Sequence, residues 1–137
     1  MVIDRYFEET RKTAMCSEFD KVHVGCIAVY KGKIIAKGFN SEKTHPIQMH
    51  YNKYRTMRGV NTQVLPKVHA EVKCISKLKN MDIDFKKVKI FIYRIRYDQP
   101  YGLARPCPAC MKAILDLGIR DIYYTTDSGY AHERVMA

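Results

Sequence analysis

Two short segments of the chain carry residue types suited to metal-assisted hydrolysis. His69-Ala70-Glu71 offers an imidazole and a carboxyl two residues apart, and Pro106-Cys107-Pro108-Ala109-Cys110 offers two thiols three residues apart. Each segment stands where a helical pattern begins, and the positive end of a helix dipole favours thiolates. Zinc prefers thiolate and imidazole ligands, and a catalytic site keeps three protein ligands with water as the fourth. Cys107, Cys110 and His69 supply that set. With Zn²⁺ they make a formally neutral site that still lowers the pKa of water considerably. Glu71 lies roughly 200° from His69 around a regular helix, so the two are not expected to share the metal. In the freer first turn its carboxylate is instead suited to shuttle a proton between water and substrate.

Alone, each segment has other readings. Cys-x-x-Cys also serves as a redox pair or as half of a structural zinc site. A structural site needs a fourth ligand, and none of His23, His45, His50 and His132 shows a partner spacing. A thioredoxin-like motif follows the first strand of its fold, whereas this one comes near the end of the chain with proline on both sides of Cys107. In combination, both opening helices, the two segments point to catalytic zinc. Cys16, Cys26 and Cys74 sit among apolar neighbours and read as small buried hydrophobes. Five cysteines, an odd count, argue against a disulfide framework.

The elements that must position these residues are readable from periodicity. The 137 residues fit one domain, 1–137, and a hydrophobic share of 47% suffices for one core. Residues 3–16 place Tyr6, Phe7, Thr10 and Ala14 at helical spacing. VHVGCIAVY (22–30), the turn Lys31-Gly32 and KIIAKGFN read as a β-hairpin, with Gly32 free to take positive φ. Residues 69–80 form a helix with Ala70, Cys74, Ile75 and Leu78 on one face, and 88–97 a strand. Residues 107–118 form a helix ended by Gly118, 121–126 a strand, and a last strand is expected within 129–136. The strand–helix–strand–helix–strand portion calls for a mixed sheet with parallel neighbours and helices packed against it. Residues 41–67 show no period, and a loop that long in a compact domain is functional or disordered.

With these elements in place, the chain resembles the cytidine deaminase-like superfamily over about Val22 to Thr126. The carriers are His69-Ala70-Glu71 and Pro106-Cys107-Pro108-Ala109-Cys110, in that order and each opening a helix. The resemblance implies an α/β, three-layer fold: a central mixed sheet of about five strands flanked by helices, the two motif helices meeting at the metal. It implies Zn²⁺ as cofactor on His69, Cys107 and Cys110, with Glu71 as general acid/base of a hydrolytic deamination. It further implies that Asn40, closing Gly38-Phe39-Asn40, contacts the sugar or base, and that the amide of Ala70 helps fix the base. Read without the resemblance, Asn40 is equally a turn residue at a strand end. SGYAHERVMA follows DIYYTTD directly, without the helix that the deoxycytidylate and tRNA branches usually have before their fifth strand; a hairpin with an antiparallel fifth strand would be closer to the free-cytidine branch. Many members are homo-oligomers; no interface for one is readable here.

Substrate is approached through charge. Lysine and arginine total 24 against 14 acidic residues, a formal +10, which favours polyanionic partners or phosphorylated substrates. The 43–67 segment interleaves Lys53, Arg55 and Arg58 with Tyr54 and other aromatic residues, the pattern that grips single-stranded nucleic acid. Lys86, Lys87, Lys89, Arg94 and Arg96 extend the same reading to the third strand, or else make a solvated sheet edge. Tyr123, Tyr124 and Tyr130 are candidates for stacking at the pocket rim, with core packing the alternative for the first two. Cytosine in single-stranded nucleic acid is therefore the expected substrate, and a free pyrimidine nucleotide such as dCMP the alternative. The zinc motif does not distinguish cytosine from adenine. A zinc-stabilised nucleic-acid-binding module without turnover would have no use for Glu71. No apolar run approaches the roughly 20 residues that span a bilayer, and Met1-Val2-Ile3-Asp4-Arg5 is no signal peptide, so a cytoplasmic location is expected. A strand held through about four to six phosphates predicts a log–log slope of affinity against salt near −3 to −4, and a mononucleotide a far smaller one. Fluorescence titration of both ligands over a range of salt concentrations measures it.

Overall fold

The computed structural model describes residues 3–17, 22–41, 50, 69–96 and 102–135. Helix α1 (Ile3–Ala14) is followed by strands β1 (Val22–Tyr30) and β2 (Lys33–Phe39). Helix α2 (Ala70–Ser76), a short 3₁₀ turn (Phe85–Lys87), β3 (Val88–Arg96), helix α3 (Pro108–Leu117), β4 (Asp121–Thr126) and β5 (Gly129–Arg134) complete the order. The strands form one sheet in the order β2-β1-β3-β4-β5. β3 and β4 run parallel, joined across α3, while the β1–β2, β1–β3 and β4–β5 pairs are antiparallel. This is the mixed α/β sheet that the chain pattern calls for, and its last strand is antiparallel.

The β1–β2 hairpin turns as its residues dictate. Lys31 and Gly32 both have positive φ, 50° and 79°, the requirement of the tight turn that matches strand twist. Strand alternation then divides the core into two layers. On one face Ile27, Val29, Phe91, Tyr93 and Tyr123 meet Tyr6 and Phe7 of α1. Phe91 stacks on Tyr123 at 4.6 Å between ring centroids and meets Phe7 edge-on at 5.2 Å. On the other face Cys26, Ala28, Ile90, Ile92 and Ile122 pack against Val72, Cys74 and Ile75 of α2 and Ala113 and Ile114 of α3.

Two glycines fix how closely the helices approach. A Cβ on Gly25 would stand 2.5 Å from the backbone nitrogen of Ala14 and from the carbonyl oxygen of Thr10. A Cβ on Gly38 would stand 2.5 Å from the nitrogen of Cys74 and 2.6 Å from the oxygen of Ala70. Backbone therefore lies on backbone at both places, α1 on one face of the hairpin and α2 on the other.

Several expectations need correction. The second helix ends at Ser76 rather than at residue 80, because Lys77, Leu78 and Met81 bond three residues back and tighten the chain into turns. Lys86 and Lys87 belong to the 3₁₀ turn, and β3 is the central strand, so these lysines are not a solvated sheet edge. Cys26 and Cys74 are buried as expected, but Cys16 is exposed in the turn after α1. Tyr123 and Tyr124 are core residues, 9% and 6% exposed. The 43–67 segment, with Lys53, Tyr54, Arg55 and Arg58, lies outside the described residues except for His50. Among the described residues no helix is long and apolar enough to cross a membrane.

Gly38→Ala is expected to cost about 2–3 kcal/mol, since the added carbon meets backbone that cannot move aside cheaply. Urea denaturation followed by circular dichroism checks this, and an unchanged midpoint would contradict the close approach.

Candidate metal centre and active site

The two motif segments are built alike. His69 is the N-cap of α2, with extended backbone (φ −83°, ψ 156°) and a carbonyl that accepts the first helical bond from Lys73 at 3.0 Å. Cys107 is the N-cap of α3, also extended (φ −64°, ψ 164°), its carbonyl accepting from Met111 at 2.8 Å. Pro108 takes the first helical position, where its missing N–H costs nothing. Neither N-cap side chain is spent on capping its helix. Both turn instead toward the junction of the two helices.

There His69 Nδ1 lies 3.2 Å from Cys110 Sγ and 3.7 Å from Cys107 Sγ. The three ligand atoms all fall within 4.8 Å of one another. A tetrahedron with ordinary zinc–sulfur and zinc–nitrogen bonds has edges of roughly 3.5–3.8 Å, so the cluster is of the size zinc requires. Its electrostatics agree. A hydrogen bond from the Cys110 thiol, helped by His69, brings the Cys107 thiol down to about 4 even though burial opposes it. Cys110 is pushed up by its hydrogen bond to Cys107 and by burial. Their mutual hydrogen bond thus favours the thiolate at Cys107 and the thiol at Cys110. A divalent cation would favour both as thiolates.

Glu71 follows two residues after His69. Because His69 is extended rather than helical, the angle of a regular helix does not separate them, and both line one cavity of about 320 Å³. The carboxyl is only 6% exposed, and burial raises its pKa above the ordinary range. Ala70 and Asn40 line the same cavity. Asn40 Oδ1 accepts from Val24 N at 3.0 Å and its Nδ2 donates to the Val22 carbonyl at 3.2 Å. Among the described residues no partner is seen for the second Nδ2 hydrogen. Asn40 thus ties the end of β2 to the start of β1, the strand-end role that the sequence offered, and it also lines the cavity.

Tyr130 is misplaced by the sequence reading. Its ring stacks on Phe7 at 3.9 Å, on the α1 side of the sheet, with His132 following on that side. Alternation sends Glu133 to the other side, where it accepts from Tyr124 Oη and Arg105 Nε, each at 3.0 Å. Arg105 is a cavity residue that the sequence reading did not single out, and Arg94, read there only as one of a basic stretch, also lines the cavity. The signal for Arg94 was present: it follows Ile90 and Ile92 at period two on a strand whose other face is aromatic.

The sequence model of the cytidine and deoxycytidylate deaminase zinc-binding region matches residues 2–126. The chain belongs to this family. No curated protein matches the sequence. Among solved structures, the dCMP deaminase of cyanophage S-TIM5 in complex with dCMP and dUMP is 21% identical with a TM-score of 0.63, covering 91% of this chain and 81% of its own. The cytidine deaminase of Burkholderia pseudomallei is 15% identical with a TM-score of 0.64, covering 98% and 93%. At such identities the likeness concerns the fold. The family's metal is zinc, and His69, Cys107 and Cys110 form a site suited to it. Cys107→Ser and Cys110→Ser are each expected to remove most of the zinc, from about one per chain, and to lower the melting temperature. Metal analysis of the purified variants beside wild type measures the first.

Proposed function

We propose that this deaminase converts cytosine to uracil hydrolytically in the cavity between α2, β3 and the segment leading to α3. The supporting observation is that Glu71, a buried carboxyl, shares one cavity wall with His69. Zinc, when bound, supplies the Lewis acidity that makes water a nucleophile at neutral pH. Glu71 accepts the proton released as water adds to C4 and delivers it to N3 of the ring. It then carries a second proton from the new hydroxyl to the departing amine, so that ammonia leaves and the C4 carbonyl forms. The Ala70 amide and the remaining Nδ2 hydrogen of Asn40 hold the base and sugar in register.

Two carriers of the base suit this reaction. Single-stranded nucleic acid is favoured by the charge of +10 and by the basic, aromatic character of residues 43–67. A free pyrimidine nucleotide is favoured by where the described cations stand. Arg94 and Arg105 line the cavity, whereas Lys89 lies five residues earlier on β3, roughly 17 Å away along the strand. Lys86 and Lys87 lie farther still, and Tyr130 is on the opposite face. Among the described residues, then, positive charge at the cavity suits a single nucleotide better than a long strand.

Glu71→Gln is expected to lower kcat by about 10²–10⁴-fold while zinc content stays at the wild-type level. Conversion of deoxycytidine to deoxyuridine, of dCMP to dUMP and of a cytosine-containing oligonucleotide to its uracil form, measured beside metal content, checks this. A zinc-loaded, fully active variant would overturn the role of Glu71.

A further inference from the structure

Among the described residues the cavity is lined by two arginines for which the deamination chemistry has no use, Arg94 and Arg105. Arg94 sits at the end of the β3 row that begins with the fully buried Ile90 and Ile92, so its side chain leaves the core at the cavity. Its backbone is pinned. The Arg94 N–H donates to Thr125 Oγ1 at 3.1 Å, its carbonyl accepts from Gly102 N at 2.9 Å, and the Thr125 hydroxyl donates to the Gly102 carbonyl at 2.7 Å. Thr125 is itself fully buried. The guanidinium is far less satisfied. One Nη donates to the Leu103 carbonyl at 3.3 Å, and buried Nε has no partner among the described residues. Arg105, by contrast, is paired with Glu133 at 3.0 Å.

An unmet, desolvated donor on a cation carries a cost. Turning the fork so that Nε and one Nη donate together to two oxygens of one anion removes it, and a phosphate has that geometry. We infer that Arg94 is a specificity-determining residue that holds a phosphate of the target nucleotide while its cytosine lies beside Glu71. This inference rests on the cytosine-deamination reading. The phosphate is either the monoester of a free nucleotide or a diester flanking the target in a single strand, and in both cases a free nucleoside lacks the anion that Arg94 is placed to hold.

The test compares zinc-loaded wild type, Arg94→Gln and Arg94→Lys on deoxycytidine, dCMP and a short single-stranded oligonucleotide with one cytosine. In parallel, calorimetry measures the binding of dUMP and of deoxyuridine. Wild type is expected to prefer a phosphorylated substrate to deoxycytidine by at least about tenfold in kcat/KM. Arg94→Gln is expected to lose about 10–100-fold on that substrate, chiefly through KM, and at least about tenfold less on deoxycytidine. Arg94→Lys, which keeps the charge without the fork, falls between them. Which phosphorylated substrate wild type prefers identifies the source of the phosphate. Equal losses with and without a phosphate, in turnover or in binding, would overturn the inference and leave Arg94 a structural residue. If wild type yields uracil from no substrate, the deamination reading fails. The dUMP and deoxyuridine affinities then still decide the role of Arg94: a loss confined to dUMP supports it, and equal losses or none refute it.

Discussion

Backbone contact between α2 and β2 at Gly38 governs the geometry of the catalytic face. The atoms that leave no room for a side chain there belong to Ala70 and Cys74, one turn apart on the short helix that carries the site. Ala70 is flanked in sequence by His69 and Glu71, so the depth to which α2 sinks onto the hairpin sets where both functional side chains stand. Gly25, one rung away on β1 and facing the other layer, does the same for α1. The hairpin is gripped from both sides, and the sheet has little freedom to twist under the site.

Against that fixed wall the second motif arrives independently, carried by α3 from the far side of β3. What joins the two is electrostatic. The imidazole and the two thiols form one cluster in which the hydrogen bond between the thiols lowers Cys107 and raises Cys110. Each ligand at an N-cap position lies outside its helix yet is aimed by it, which lets two rigid elements present three donors without distorting either backbone. The same economy places Glu71 in the first turn, where its carboxyl meets the Cys110 thiol.

How much of this was legible in the sequence depended on how local the signal was. The metal donors, the Lys31-Gly32 turn and the amphipathic face of α1 depend on neighbours a few residues away, and the chain pattern showed them plainly. The elements were recognised while their ends slipped, as at Ser76, where tightening turns rather than helix breakers end α2. What sequence did not reveal is which end of a strand, and which face, a residue shares with the site. Tyr130 and Glu133 are three residues apart on one strand yet serve opposite layers. Lys89 and Arg94 read as one basic stretch, but strand rise separates them by roughly 17 Å. Period two with Ile90 and Ile92 gives the face of Arg94, but its place at the cavity end of β3, with its backbone N–H on Thr125 Oγ1, is set by the register of β3 against β4.

The glycine contacts also divide the protein, for anyone wishing to redesign it, into an inherited part and an adjustable one. At positions 25 and 38 shape is set by missing atoms, and any side chain there would press on helix backbone. Val22, Val24 and Leu103 line the same cavity from strand ends and connecting chain, where volume can change without lifting a helix off the sheet. New substrate preferences would therefore be sought at the cavity mouth, with the hairpin left as an unalterable chassis.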